Sequence, residues 1–300
     1  MKVNKYYGAA ISAFIIWGFI PFPLKALADY PSSQILYFRI LVSVLTLIVV
    51  SLLTRRQQWK ETKALFQGHA PKEKRKFLAF TLLGGLLLTV NWLAFIYVVN
   101  HVDIQTGSFS YLLCPILTAV LGFLILKEHL RVNQWLSVAL SLMSCLLVGT
   151  DSLTNLLFSL LIASSYAFYL ITQRLLKDYD KIVLLTLQLL LAFCIIGPSY
   201  SWFVGAEAVP ITGHFVRQIV LLSWVFTVIP LFLNLYALKE IKSATIGILM
   251  YLNPIINFTM AFVYFNEVAS TQKVIAYAVI FLSVILYNLP IGKKKVVAGA

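Results

Sequence analysis

Ten separate apolar runs govern what this chain can become: residues 6–26, 33–53, 77–99, 104–126, 133–148, 155–175, 182–203, 215–238, 243–265 and 271–289. A bilayer's hydrocarbon core is about 30 Å thick and takes about 20 helical residues to cross, so the runs have the length of single crossings. A soluble domain has no interior large enough for all of them. Charged residues make up only 12% of the chain, against roughly 25% in a typical globular protein. Each run is expected to be helical, because lipid offers no partner to open backbone groups and none of the runs alternates like a barrel strand. The expected fold class is therefore an all-α polytopic membrane protein with ten transmembrane helices.

The positive charge orients those helices. Threaded with the N-terminus inside, the cytoplasmic segments hold 20 Lys and Arg, against Lys25, Arg217 and Lys273 outside and Arg39 within a span. Cytoplasmic loops carry such an excess, so both termini are expected in the cytoplasm of a multi-pass cell-membrane protein. The net charge of +13 thus serves the membrane and gives no reason to expect nucleic acid. The first run, followed by Ala26-Leu27-Ala28, also mimics a cleaved signal peptide. Lys25 beside the supposed cleavage site, and the reappearance of this run later in the chain, argue against that. Cys114, Cys145 and Cys194 sit inside apolar runs without metal-ligand spacing, and the four histidines are scattered. No metal or cofactor is expected.

The sequence also repeats. A shift of 139 residues places Pro115 on Pro254, Phe123 on Phe262, Glu128 on Glu267 and Tyr97 on Tyr236; a shift of 149 places Trp17-Gly18 on Tyr166-Ala167 and Lys25 on Arg174. This divides the chain into residues 1–150 and 151–300, with five helices each. Five is odd, so the halves are expected to insert with opposite orientation, the plan of many secondary transporters. Pro115 and Pro254 fall at the middle of the fourth and ninth runs. Proline there removes a backbone hydrogen bond and leaves carbonyls to face a cavity. A matched pair of such interruptions points to a transport site.

Polar and aromatic residues cluster around those prolines at helical spacing. The candidate cavity residues are Trp17, Asn91, Trp92, Tyr97, Tyr111, Pro115, Tyr166, Asn234, Met250, Asn253 and Asn257. Some are expected to be helix-packing contacts, since amides also join membrane helices. Together they describe a cavity for a small, partly apolar organic solute. All eleven acidic residues fall in loops or at span ends, which disfavours proton coupling through a buried acid. Arg39 is the one basic residue well inside a span. Placing it there costs at least ~2.5 kcal/mol, so it either reaches outward to water or serves substrate binding or gating. Glu128 and Glu267 are expected to favour the N-terminal dipole of the helix that follows each.

Three stretches carry a family likeness. Trp17-Gly18-Phe19-Ile20-Pro21, the run from Asn91-Trp92 through Tyr97 to Asn100, and Gly107-Ser108 through Tyr111 and Pro115 to Glu128 resemble the EamA-type carriers of the drug/metabolite transporter superfamily, most of all its RarD-like branch. The resemblance spans nearly all of both halves and is looser in the second. It implies a ten-helix carrier of two inverted repeats that exports or exchanges small metabolites or drugs across a bacterial cytoplasmic membrane. It also implies a cavity lined by helices one, three, four, six, eight and nine. Ahead of Arg39 the chain carries Gln34 and Phe38 where RarD-like proteins usually carry Glu and His, so no titratable switch stands there.

Other classes fit less well. A membrane enzyme acting on lipid-linked substrates needs a nucleophile, paired acids, a metal cluster or a phosphate site, and none of these motifs lies in or beside a span. A scaffold has no need of interrupted helices around a polar cavity. A channel would be expected to show a ring of like charge. The expected partners are a small-molecule substrate and the lipid bilayer, with the protein a monomer or homodimer and not an enzyme.

Overall fold

The computed structural model describes residues 2–127, 129–237 and 249–289. Glu128, Lys239, Lys242, residues 243–248 of the ninth run and the lysines at 293–295 lie outside them. Helices account for the regular structure, and no strand occurs among the described residues. Six spans are long and apolar enough to cross a membrane: Lys5–Lys25, Ser32–Thr54, Pro71–His101, Ile104–Leu126, Leu153–Leu175 and Gly213–Asn234. Shorter apolar helices, Val132–Leu147, Lys181–Ile196, Leu252–Val263 and Thr271–Tyr287, occupy the other four runs. Large apolar side chains such as Leu53, Leu124 and Leu146 stand exposed around the bundle. Water would penalise that surface and hydrocarbon does not, so the protein is membrane-embedded.

Proline and glycine set where the runs break. The first run is α1 (Lys2–Gly18) and a short α2 (Pro21–Lys25), parted by a turn at Phe19–Ile20 ahead of Pro21 and Pro23. A single helix over 6–26 would have set each proline ring against the turn before it. Next come α3 (Ser32–Thr54) and α4 (Arg56–Gly68), a charged helix within what the sequence reads as a plain basic loop. Helix α5 (Pro71–His101) begins six residues before its apolar run, with Pro71 at its first position, where the missing N–H costs nothing. Helix α6 (Ile104–Leu126) stays continuous through Pro115.

The second half is interrupted at other places. After α7 (Val132–Asp151) and α8 (Leu153–Leu175), α9 (Lys181–Ile196) stops at Gly197-Pro198, and the rest of the seventh run is a 3₁₀ turn and a short α10 (Tyr200–Phe203). The eighth run is α11 (Gly213–Ser223), a π-helical turn (Trp224–Val228) and α12 (Ile229–Ala237). Helix α13 (Leu252–Val263) begins after a turn at Met250–Tyr251, so Pro254 lies in a first helical turn. The two prolines therefore differ locally: Pro115 lies inside an unbroken helix, whereas Pro254 lies in the first turn of one. Helix α14 (Thr271–Asn288) closes the order. Lys127 and Asn266, related by the 139-residue shift, both take a positive φ, 56° and 52°.

Helices gain little hydrophobic energy from leaving lipid for each other, so close approach and hydrogen bonds hold this bundle. Gly84 and Gly85 let α5 lie directly on α9; a Cβ at Gly85 would overlap the Gln188 carbonyl oxygen. Ser141 meets Ser283 at 2.9 Å and Ser144 donates to the Ala276 carbonyl at 2.8 Å, joining α7 to α14. The main contacts run between the halves: α5 and α6 pack on α8, α3 on α9 and α11, α1 on α12 and α13.

One end of the bundle is tied across the halves by polar contacts. Glu267 accepts from the Ile104 N–H at 2.8 Å and the Gln105 N–H at 3.3 Å, and Lys273 pairs with Asp103 at 2.9 Å. Tyr277 donates to the Gln105 carbonyl, and Tyr30 meets Thr212 at 2.9 Å. Glu267 thus serves the N-terminus of α6 in the other half. The helix after it, α14, already has Ser270 at its cap, accepting from Lys273 N–H, which corrects the expectation from sequence.

Candidate functional site

Arg39 sits within the membrane span of α3 and is 2% exposed. Its Nε donates to Thr227 Oγ1 at 2.9 Å, and its guanidinium carbon stands 4.3 Å from the centroid of the Trp92 ring. Thr227 lies in the π-helical turn of the second half and donates onward to the Leu222 carbonyl at 2.9 Å. The guanidinium is thereby stacked and oriented, a desolvated cation–π geometry that stabilises by ~2 kcal/mol. Its Nη1 is buried and has no hydrogen-bond partner.

The π turn traces back to one residue. Pro230 has no N–H, so the Phe226 carbonyl four residues earlier lacks its ordinary helical donor. The Trp17 indole supplies one, Nε1 donating to Phe226 O at 3.1 Å. A side chain of the first half thus satisfies a backbone group of the second, where an orphaned carbonyl would cost several kcal/mol in lipid. The bond also fixes the Trp17 ring, which packs on Phe14 with centroids 5.6 Å apart.

These residues line a cavity of about 50 Å³. At ~10–15 Å³ for each water in this measure, it has room for about four. Phe14, Trp17 and Ile20 form one side, Arg39 comes from α3, and Leu88, Trp92 and Phe95 come from α5. Tyr111 and Tyr166 stand nearly perpendicular, at 83° and 6.0 Å, and the second half adds Thr227, Leu231, Met250 and Asn253. Among the described residues, no carboxylate belongs to this lining.

Seven of the residues singled out from sequence therefore share the cavity: Trp17, Arg39, Trp92, Tyr111, Tyr166, Met250 and Asn253. Two stand behind it. Asn91 donates to the Ile162 carbonyl at 2.8 Å and Ser165 at 3.3 Å, and accepts from the Tyr111 hydroxyl at 3.2 Å, so it positions Tyr111. Asn257 donates to Asn253 Oδ1 at 2.9 Å and is fully buried. Pro115 and Asn234 are half-buried and do not line the cavity. Tyr97 lies elsewhere, corrected from the sequence reading: it is exposed on the outer face of α5 against His101 and Phe158. Leu88, Trp92 and Phe95 are spaced by four and three and share a face, but Tyr97 is five residues past Trp92, about 140° around the helix. Phe14, Ile20, Leu88, Phe95 and Leu231 went unnoticed because their chemistry matches lipid-facing residues; only the i, i+3 spacing of Phe14 with Trp17 hinted at one of them.

The departures at Gln34 and Phe38 have structural partners. Gln34 donates to the Val209 carbonyl at 2.7 Å and accepts from the Val209 N–H at 3.0 Å, pairing with that peptide in both directions. An ionised glutamate has no donor for the carbonyl, whereas a protonated one does. Gln34→Glu is expected to cost ~1–3 kcal/mol and to lower the thermal unfolding midpoint more at pH 8 than at pH 5. An unchanged midpoint at both would remove this pair as a closing contact. Phe38 packs edge-on against Phe215, 5.4 Å between centroids.

The sequence pattern of the EamA-like transporter family matches residues 4–150 and residues 153–289. Protein RarD of Salmonella typhi is 28% identical over 284 residues, covering 93% of this chain and 92% of that protein. Protein RarD of Escherichia coli is 26% identical over 285 residues, covering 93% and 92%. An uncharacterized transporter of Vibrio cholerae is 28% identical over 283 residues, covering 93% and 90%. A solved crystal structure superposes with a TM-score of 0.63 at 15% identity over 95% of this chain and 96% of that one, a likeness of fold.

Proposed function

The chain belongs to the EamA-like transporter family and is a membrane transporter; on that premise we propose that it is a secondary carrier, exporting or exchanging small organic solutes across the bacterial cytoplasmic membrane by alternating access. The observation that carries this reading is the aromatic cavity, built from both halves of the chain and bordered by helices broken at Ile20, at the π turn before Pro230 and at Met250–Tyr251. Irregular backbone at membrane depth is tolerated where it borders a cavity, and transporters place substrates there.

In this reading the ten helices form two inverted five-helix repeats, residues 1–150 and 151–300, with both termini in the cytoplasm. The shared positive φ of Lys127 and Asn266 supports the repeat, and the loop charges support the orientation. The end tied by Asp103, Glu267 and Lys273 then faces outward. A cavity of about 50 Å³ is too small for a metabolite, so this form is contracted and substrate enters when helices part. Monomer or homodimer assembly is compatible with this mechanism, which needs no cofactor.

The test is flux through purified protein in liposomes, with a panel of labelled metabolites and amphenicol-type drugs, with and without a pH gradient. Saturable flux of at least one solute is expected, lowered tenfold or more by Asn253→Leu, which removes the amide from the cavity. Absence of saturable flux from folded, reconstituted protein would defeat the carrier reading.

A further inference from the structure

We propose that the cavity selects organic monocarboxylates with an apolar or aromatic body, the carboxylate binding Arg39 and the body lying against the rings. This rests on the cavity being the transport site and names what that site takes.

The argument starts from an unbalanced charge. Arg39 is buried in a lining that has no carboxylate among the described residues, its Nε is committed to Thr227 and its face to Trp92, yet its Nη1 has no partner. A guanidinium in lipid is tolerated when something compensates it. Thr227 is neutral and Trp92 offers only its ring, so the compensating charge is left to the occupant. Arginine's planar fork matches a carboxylate with two parallel N–H···O bonds. Nε is committed to Thr227, so a carboxylate meets the guanidinium on its Nη side, where Nη1 has no partner.

The other walls narrow the class. Trp17, Phe95, Tyr111 and Tyr166 present rings, and the amide of Asn253, whose Oδ1 accepts from Asn257, adds a neutral polar group beside the tyrosine and threonine hydroxyls. Among the described residues the lining has no anion to hold a second, positive group, and no second cation to hold a dianion. One negative charge on an apolar body fits both facts. A neutral solute's carbonyl or hydroxyl oxygen can accept from Arg39 Nη1 but leaves the buried positive charge unbalanced, a penalty a carboxylate avoids.

The test compares acids with their own amides on the full-length protein. Phenylacetate, 4-hydroxyphenylacetate and indole-3-acetate, each beside its carboxamide, are titrated by calorimetry into protein in nanodiscs, with sodium chloride and sodium phosphate as inorganic controls. Wild-type protein is expected to bind at least one acid on the order of 10- to 100-fold more tightly than its amide, the worth of one charged hydrogen bond. Arg39→Gln should erase that preference and Arg39→Lys, which keeps the charge, should retain part of it. Equal binding of acid and amide by wild-type protein, binding of inorganic anions alone, or no binding by any of the three acids would overturn the proposal. The wild-type comparison decides even if a variant fails to fold. Liposome flux separates the two readings. A preserved acid preference without saturable flux would sink the carrier function and leave the anion site standing; saturable flux of neutral solutes without acid preference would do the reverse.

Discussion

Replacing Gly85 by leucine is expected to leave almost no monodisperse protein in detergent, measured by fluorescence-detected size-exclusion chromatography, while Gly8→Leu elutes as the parent does. The reason is geometric. A side chain at position 85 meets the backbone of α9 at Gln188, and backbone cannot rotate out of the way as a side chain can. Relief requires α9 to move off α5, which disrupts the bond from Gln173 Nε2 to Gln188 Oε1, now 2.8 Å, and the packing of α3 on α9. Over-packing of this kind costs ~3 kcal/mol or more, against a total stability of about 5–15 kcal/mol. A Cβ at Gly8 meets nothing within 4 Å. Monodisperse Gly85→Leu protein with an unchanged melting midpoint would show that the α5–α9 contact is not a close approach.

The second large effect concerns the end of the bundle tied by Asp103, Glu267 and Lys273. The combined substitution Asp103→Asn with Glu267→Gln keeps size and some hydrogen bonding, but removes both charges from the N-terminus of α6 and the ion pair with Lys273. Charged hydrogen bonds contribute ~1.5–3 kcal/mol each and a carboxylate at a helix N-terminus ~0.3–2. A combined loss of about 3 kcal/mol shifts a two-state equilibrium about 100-fold at ~1.4 kcal/mol per factor of ten. Ser108, one turn beyond Gln105, is fully buried. With Cys114, Cys145 and Cys194 replaced by alanine, a cysteine placed there by Ser108→Cys should react at least 30-fold faster with an impermeant maleimide added outside. An unchanged rate in folded protein would mean these contacts do not hold the outer end shut.

Hydropathy located the apolar helices, because a run of twenty apolar residues has few other fates in a cell, but it passed over the charged helix α4. What escaped was where each run breaks. Pro21, Pro230 and Pro254 stand plainly in the sequence, yet the first is preceded by a turn, the second by a π turn and the third by a new helix start. Which of these occurs depends on what can satisfy the freed carbonyl, and for Phe226 the answer, Trp17, lies 209 residues away. Arg39 was legible as a lone charge in an apolar run. Its partners were not, because threonine and tryptophan are commonplace in membrane helices and nothing local marks Thr227 or Trp92 as its neighbours. Tyr97 shows the converse: a polar ring draws attention even when the helical wheel turns it away from the cavity.

The Trp17–Phe226 bond carries a consequence for how such a chain can be inherited. Joining residues 1–150 to the second half of a relative would break the pairing of the indole with the carbonyl that Pro230 exposes, unless that relative brings a proline at the matching place. Substitutions at 17 and 230 should therefore be non-additive, each harmful alone and milder together. The gene for such a protein is expected to tolerate change within either half more readily than recombination between them.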